Sequence, residues 1–262
     1  MLLYQLSQGG IYRNEYNKVI WAIVKYKRVL LKLSGEQFGG GHGHGIDSDF
    51  LNNVAKELKD VAKTTGSQIA VVVGGGNIVR GKDLKIKGLE TATGHYMGML
   101  AGILNGMALV DVLEAAGQPA RLQTRLRMES VAEPYIRRRA VRHMDKGRIV
   151  VIAGGTGNPY FSHDTAAVVT ALDLGCDAVL KATKVDGVYD KDPMKHPGAK
   201  KHDFLSHAEA LQDPDINVMD NSAISFALDH QLPIIVFSLL PAGNIKKVIQ
   251  GKKIGTKVSH HK

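Results

Sequence analysis

Five short apolar runs, rich in β-branched residues, constrain the fold of this chain more than any other feature. Each run is bounded by glycine, proline or charged residues, as is typical of parallel strands buried on both faces. Segments with helical periodicity lie between them, and this alternation predicts an α/β sandwich around a parallel sheet. The runs are KRVLLKL (27–33), QIAVVV (68–73), RIVVIA (148–153), DAVLKA (177–182) and PIIVFS (233–238).

The helical segments between the runs differ in character. Phe50, Val54, Leu58 and Val61 form an amphipathic stripe that ends at Gly66. Segment 96–115 is apolar over much of its circumference, which predicts a helix buried in the core or against another subunit. Shorter helices are predicted over 164–174 and 221–230, and a further strand over 119–123.

The chain length and the lack of a linker predict that residues 26–262 form a single domain. The chain has 262 residues and 44% apolar residues, ample for a continuous core. It shows no linker rich in Pro, Ser or Gly and no internal repeat. Residues 1–25 are interpreted as an N-terminal extension that is either loosely ordered or docked through Ile20, Trp21 and Val24.

Charge and composition set limits on partners and location. The balance of 34 Lys+Arg against 25 Asp+Glu gives a net charge of +9, which suits nucleic acid, an anionic membrane or a polyanionic small molecule without choosing among them. The sequence shows neither a membrane-length apolar run nor a signal peptide. The single cysteine, Cys176, precludes an intramolecular disulfide and fits a cytoplasmic protein.

Three glycine-rich stretches follow predicted strands. They are KLSGE (32–36), GGGNIVRG (74–81) and GGTGNP (154–159). Ligands of parallel sheets bind at the carboxyl ends of strands, and successive free N–H groups in glycine loops hold phosphate oxygens. Three such loops predict a ligand with several phosphates. Neither a P-loop nor a Rossmann fingerprint is present.

Charged residues beside these loops indicate phosphoryl transfer. Lys32 ends the first strand and Arg80 follows the triple glycine, so both are candidates to neutralise a transferred phosphoryl group. Asp164 opens a predicted helix, where a carboxylate caps free N–H groups. It is also a candidate to orient nearby lysines such as Lys181.

The motifs together resemble the bacterial UMP kinases of the amino acid kinase superfamily. KLSGE, GGGNIVRG, YMGMLAGILNGMAL, GGTGNPYFSHDTAA and KATKVDGVYDKDP occur in that order and spacing, and the resemblance covers roughly residues 26–257. It implies a three-layer αβα sandwich with a mainly parallel sheet, a homohexamer, and Mg²⁺-dependent transfer of the ATP γ-phosphate to UMP, giving UDP for pyrimidine (CTP) biosynthesis. The acceptor is already anionic, so no general base is expected. Mg²⁺ usually binds through substrate phosphates, so no dedicated protein metal site is expected.

The resemblance also implies roles for individual residues. The catalytic candidates are Lys32, Arg80, Asp164 and Lys181. Those implied for ATP are Lys32, Leu33, Ser34, Gly35, Gly76, Arg80, Thr183, Tyr189 and Asp192. Those implied for UMP are Gly75, His95, Thr156, Gly157, Asn158, Pro159, Tyr160, Phe161, Ser162 and His163.

Many members of this family are activated by GTP and inhibited by UTP. An effector site is implied at Gly40, Gly41, His42, Gly43, His44 and Gly45, with Arg125 and Arg127. The basic run IRRR is equally well interpreted as a solvated face. His42 and His44 have no third metal ligand nearby, which favours a glycine-rich loop over a metal site.

Two residues depart from the family pattern. His95 stands where the family usually has an aspartate for the UMP ribose, and His163 where the acceptor loop usually has a threonine. A protonated His163 would add positive charge beside the UMP phosphate, so the expectation is that UMP affinity strengthens from about pH 8 to 6. On the alternative interpretation, both histidines are neutral, surface-facing substitutions without consequence.

Two other functions remain as alternatives. A related kinase acting on a carboxylate or carbamate should lack the GGTGNP acceptor loop, which this chain has. A nucleic-acid-binding protein would explain the net charge of +9. It would not explain Lys32, Arg80 and Asp164 at the ends of strands.

Overall fold

The computed structural model describes residues 24–84, 86–216 and 218–261, without the side chain of Lys82. Within them it contains eleven strands and eight α-helices. The strands are β1 (Arg28–Leu33), β2 (Gln68–Val73), β3 (Ala120–Thr124), β4 (Glu133–Pro134), β5 (Ile149–Ala153), β6 (Ala178–Thr183), β7 (Val188–Tyr189), β8 (Lys201–His202), β9 (Phe204–Leu205), β10 (Ile234–Ser238) and β11 (Thr256–Val258). The helices are α1 (Gly35–Phe38), α2 (Ser48–Thr65), α3 (Thr91–Ala115), α4 (Arg137–Asp145), α5 (His163–Leu174), α6 (His207–Gln212), α7 (Asn221–Asp229) and α8 (Asn244–Ile249).

Nine strands form one mixed but mostly parallel sheet in the order β4-β3-β5-β2-β1-β6-β10-β11-β9. Only the β10–β11 pairing within it is antiparallel. Strands β7 and β8 form a separate antiparallel hairpin. The five predicted strands are the central ones, and their continuous apolar character reflects burial on both faces.

Helices cover both faces of the sheet and create two hydrophobic clusters. One cluster, which includes Leu31 and Val71, contains residues of α2, α3 and α8. The other, which includes Leu30 and Val72, contains residues of α4 to α7. Side chains of adjacent residues in one strand therefore point to opposite faces of the sheet. The predicted αβα sandwich with a mainly parallel sheet is confirmed.

Local sequence explains where helix α2 begins and ends. Helix α2 begins after Asp47, whose side chain accepts a hydrogen bond from Phe50 N, and ends at Gly66 in the left-handed conformation.

Helix α3 is long and apolar enough to cross a membrane by length and composition alone. Its buried side chains, among them Ile103 and Leu109, instead pack in the core cluster on one face of the sheet.

The predicted extension, residues 1–25, lies outside the described residues except for its last two. Val24 packs against the hydrophobic core, and Lys25 N donates a hydrogen bond to Ile249 O. Ile20 and Trp21 are among the residues that the structure does not describe.

Candidate active site

The three glycine-rich loops converge because their strands are neighbours. Strands β5, β2 and β1 are consecutive in the sheet and parallel, so their carboxyl ends meet at one edge. A cavity of about 630 Å³ opens there. It is lined by Lys32, Ser34, Gly35, Glu36, Gly74, Gly75, Gly76, Val79, Arg80, Gly81, His95, Gly98, Met99, Gly155, Tyr160, Phe161, Ser162, His163 and Asp164.

Two of the glycines are required by close backbone packing. A Cβ on Gly35 would lie 2.2 Å from Gly76 N, so the first and second loops touch main chain to main chain. A Cβ on Gly75 would lie 2.5 Å from Gly102 N of helix α3. Any side chain here would force the loops apart, so both positions fix the wall of the cavity.

Asp164 joins two lysines from neighbouring strands. Lys32 and Lys181 are register partners on the parallel strands β1 and β6, so their side chains share one face of the sheet. Lys32 Nζ lies 2.8 Å from Asp164 Oδ1, and Lys181 Nζ lies 2.9 Å from Asp164 Oδ2. Lys181 Nζ also donates to Val218 O at 2.5 Å. One carboxylate at the start of α5 thus positions two cations.

The electrostatics of this cluster keep Asp164 ionised. Burial alone would raise the pKa of its carboxyl, but Lys32 and Lys181 outweigh burial and lower that pKa to about 2. For Lys181, burial lowers the pKa of the ammonium and Asp164 opposes the shift. The group carries two positive charges against one negative, which leaves the cluster one net positive charge next to the cavity.

The loop before helix α5 is held by hydrogen bonds to Asp220, the N-cap of the neighbouring helix α7. Ser162 caps α5 by accepting from the backbone N–H groups of Asp164 and Thr165. Its hydroxyl also donates to Asp220 Oδ2, while Thr165 Oγ1 donates to Asp220 Oδ1 at 2.9 Å. Asp220 in turn caps α7 by accepting from Ala223 N. The position of Ser162 beside the cavity therefore depends on α7.

Arg80 is not a free cation in this structure. Its guanidinium forms an ion pair with Glu36, and Lys184 Nζ lies 4.0 Å from the other oxygen of that carboxylate. Both Arg80 and Glu36 are nearly half exposed. Such pairs contribute little to stability, so Arg80 can exchange Glu36 for a bound phosphate at small cost.

Both histidines that depart from the UMP kinase pattern line the cavity, but the surroundings of His163 disfavour the protonated form that the expected pH dependence of UMP affinity requires. Burial, together with Lys32, lowers the pKa of this imidazole to about 4, and Asp164 offsets only part of the shift. His163 is therefore neutral between pH 8 and 6, and its buried Nε2 has no hydrogen-bond partner among the described residues. The ring of His95 instead lies 5.1 Å from that of Tyr160.

Several predicted residues lie outside the cavity. Leu33 is fully buried in the core. Thr156, Gly157, Asn158 and Pro159 form a turn next to the cavity, in which Asn158 N donates to Thr156 Oγ1. Thr183 ends β6, and Tyr189 donates from its hydroxyl to Asp186 at 2.6 Å. Asp192 caps a turn by accepting from Met194 N.

The residues implied for an effector site are far apart in the sheet. The segment Gly40–Gly45 follows β1, whereas Arg125 and Arg127 follow β3, and strands β5 and β2 separate the two. Arg125 lies 4.1 Å above the Tyr135 ring and donates to Thr170 at 3.0 Å. It supports the fold next to the acceptor loop, through a weak bond to Gly155 O.

The structure adds residues that sequence reasoning missed. Glu36 lies inside the KLSGE motif, and its charge close to Lys32 and Gly35 could have indicated a role in the site. Asp220 precedes a predicted helix, which signals a cap but not its contact with Ser162, 58 residues away. Gly98 and Gly102 of α3 carried a signal only as small residues on an apolar helix.

Comparisons with known proteins agree with this geometry. The model of the amino acid kinase family matches residues 27–238. The UMP kinase of Bacillus anthracis is 35% identical over 90% of this chain and 97% of its own, with a TM-score of 0.86. The UMP kinase of Ureaplasma parvum is 27% identical over 90% and 99%, with a TM-score of 0.81. The uridylate kinase of Archaeoglobus fulgidus is 27% identical over 88% and 99%, with a TM-score of 0.70.

Proposed function

The chain belongs to the amino acid kinase family, and we propose that it transfers the γ-phosphate of ATP to UMP, giving ADP and UDP. One observation carries the proposal. The cavity brings Lys32 and Arg80 together with the loop that ends in Ser162, so donor and acceptor phosphates can meet between them. The likeness to UMP kinases from three organisms supports uridylate as the acceptor.

The acceptor occupies the part of the cavity lined by Gly75, His95 and residues 160–163. Tyr160 and Phe161 are more than half exposed there, which leaves both rings free to contact a base. His95 offers one acceptor nitrogen to the ribose when neutral, fewer than a carboxylate would offer. The loop between Thr156 and Pro159 closes on the nucleotide from beside the cavity.

ATP, the phosphate donor, occupies the side of the cavity that is lined by Ser34, Gly35 and Gly76. The backbone N–H groups of Gly35 and Gly76 hold its phosphates, whereas Ser34 N already donates to Gln37 Oε1. The ends of β6 and β7, with Thr183, Tyr189 and Asp192, hold the adenosine. Lys32 lies between the two substrates and neutralises the transferred group, while Asp164 holds both Lys32 and Lys181 in place.

Catalysis requires positioning and charge rather than proton transfer. The attacking oxygen belongs to a phosphate that is already ionised, so no side chain has to remove a proton. The protein aligns two mutually repelling anions and supplies cations where charge develops. The net positive charge of the Lys32–Asp164–Lys181 cluster suits this task.

Magnesium is proposed to bind through the ATP phosphates. The described residues contain no cluster of three or more His, Cys, Asp or Glu side chains able to hold a metal ion. In the cavity, Asp164 faces two lysines and Glu36 faces Arg80, so neither carboxylate is free. A magnesium ion held by phosphates would neutralise their charge and align them.

The remaining properties implied by the resemblance belong to the same proposal. We propose a cytoplasmic enzyme of pyrimidine nucleotide synthesis whose residues 26–262 form one domain and which assembles as a homohexamer. Regulation by GTP and UTP is proposed without a site, because Gly40–Gly45 and Arg125 lie at separated strands. Neither nucleic acid nor a membrane is required for this activity.

A panel of acceptors tests the proposal. ADP release by the purified protein is measured with ATP and Mg²⁺ and with UMP, CMP, glutamate or carbamate as acceptor. UMP should give by far the highest kcat/KM. A carboxylate or carbamate as the preferred acceptor would establish a related kinase instead, and no turnover with any acceptor would favour a binding protein.

A further inference from the structure

A second cavity, of about 870 Å³, lies where the chain enters β1 and where β8 to β11 meet. It shares no lining residue with the candidate active site. We call it the basic cleft. It is lined by Lys25, Tyr26, Lys201, His202, Asp203, Phe204, Ile235, Val248, Gly251, Lys252, Lys253, Ile254, Gly255 and Lys257.

The basic cleft has far more positive than negative charge. Five lysines line it, and Asp203 is the only carboxylate among its lining residues. Lys201 is neutralised by Asp186 at 2.9 Å. The other four, Lys25, Lys252, Lys253 and Lys257, form no ion pair with any carboxylate that the structure describes.

The fold sets the backbone positions of three of these lysines, Lys252, Lys253 and Lys257. Gly255 has a φ of +75°, and a Cβ there would lie 2.0 Å from Val236 O, so the turn that carries Lys252 and Lys253 is pressed against strand β10. Lys257 lies on β11, paired in register with Ile235. The charges are thus brought together by the fold, and no loop rearrangement is needed to assemble them.

The cleft contains like charges that repel each other and one buried polar atom without a partner among the described residues. Burial, and then the charge of Lys25, lower the pKa of the Lys257 ammonium. The Nε2 atom of His202 is buried and has no hydrogen-bond partner among the described residues. An anion in the cleft would relieve the repulsion between the lysines.

We propose that the basic cleft binds a small polyphosphate anion. Lysine ammonium groups are compact point charges on flexible stems, so four of them suit an anion whose charge is spread over several phosphates. The volume of the cleft lies within the range of small-molecule sites. Its wall also offers Tyr26 and Phe204, and lysine ammonium groups lie 5.6 Å and 5.9 Å from their ring centres.

One hairpin, β7–β8, connects the cleft to Tyr189, a residue proposed to bind ATP. Lys201 of β8 pairs in register with Tyr189 of β7, and Tyr189 is a proposed ATP residue. The tyrosine hydroxyl and Lys201 Nζ contact the two oxygens of the same carboxylate, Asp186. Polyphosphate in the cleft would therefore lie beside the hairpin that carries Tyr189.

Titration calorimetry with inorganic tripolyphosphate tests the proposal on the full chain. UMP and a non-hydrolysable ATP analogue are present at saturation to occupy the candidate active site. The variant K252Q/K253Q removes two charges from the cleft, and K63Q/K146Q removes two exposed charges elsewhere. We expect binding to weaken at least about tenfold in K252Q/K253Q, because two charge-assisted contacts are lost, and to be unchanged in K63Q/K146Q.

In the absence of tripolyphosphate, K252Q/K253Q should transfer phosphoryl groups at the rate of the unmodified protein. That rate would show that the variant is folded. Equal weakening in both variants, or no binding by the unmodified protein, overturns the proposal. A single-stranded oligonucleotide is titrated in parallel. If it binds more tightly than tripolyphosphate and depends on Lys252 and Lys253, the cleft is a nucleic-acid site and the proposal is wrong.

Discussion

Lys32 Nζ lies 2.8 Å from Asp164 Oδ1, so the lysine that ends the first strand is held by the residue that begins helix α5. The two residues are 132 positions apart in the chain and lie on elements that pack against each other. Because both side chains are largely buried, the pair fixes the ammonium group at the edge of the cavity. This relationship connects the fold directly to the proposed chemistry.

Replacing Lys32 by methionine should abolish most phosphoryl transfer while preserving the fold. We expect kcat to fall about 10²- to 10³-fold, the effect of removing one preorganised group that stabilises transition-state charge. Asp164 keeps Lys181 as a partner, so no carboxylate is left without a cation. Kinetics with UMP and ATP, and circular dichroism of the variant, are the measurements.

Lys63→Met is the matched control for that variant, because Lys63 is exposed on α2, away from the cavity. Its kcat should equal that of the unmodified protein. A kcat near the original value in Lys32→Met would remove Lys32 from the proposed mechanism.

His163 should make stability, rather than UMP affinity, depend on pH. Its pKa is lowered to about 4 in the folded protein, against an ordinary value near 6.5. Since the unfolded chain takes up the proton first, the free energy of unfolding is unaffected above about pH 6.5 and falls as pH drops towards 4. At about 1.4 kcal/mol per pKa unit, the loss reaches roughly 3 kcal/mol.

Urea unfolding of the unmodified protein and of His163→Thr between pH 7 and 4 measures this contribution. The variant should lose less stability across that range, because it no longer has the buried imidazole. Parallel stability curves for the two proteins would contradict the buried, neutral state of His163. KM for UMP, corrected for ionisation of its phosphate, should show no contribution from His163 between pH 8 and 6.

Helix α3 should mediate self-association. One side of it exposes four large apolar side chains at helical spacing, whereas the opposite side is buried in the core. The exposed residues are Tyr96, Leu100, Leu104 and Met107. Leu104→Glu should shift the protein to smaller species in light scattering at micromolar concentration, because a charge would be buried without a partner.

Leu240→Glu provides the control for self-association, since Leu240 is 78% exposed and lies off α3. It should keep the assembly of the unmodified protein. Equal dissociation by both variants, or a monomer before any substitution, would contradict the role of α3.

The sequence predicted the central strands well because burial on both faces leaves continuous apolar runs. The strand ends differ from the structure by at most one residue at β1, β2, β5, β6 and β10. The short edge strands, such as β4 and β9, were not predicted, because two residues carry no period. Helix α3 begins at Thr91, five residues before the predicted start, since its first turn is polar.

The candidate site was predictable where the residues lie next to strand ends and not where they depend on tertiary contacts. Lys32 ends the first strand and begins the KLSGE motif, and Arg80 lies in the GGGNIVRG motif, so the sequence displays both. The ion pair of Arg80 with Glu36, and the contact of Ser162 with Asp220, join residues far apart in the chain. The charge state of His163 could not be predicted, because burial, which the sequence does not show, has the largest effect on its pKa.

Phosphorus NMR of the reaction tests the central claim most directly. The protein is incubated with Mg²⁺, UMP and ATP, and the phosphorus signals are followed over time. The account predicts that the γ-phosphate signal of ATP disappears while the signals of ADP and UDP grow in equal amounts, with no free phosphate formed. Release of inorganic phosphate without UDP, or an unchanged spectrum, would contradict it.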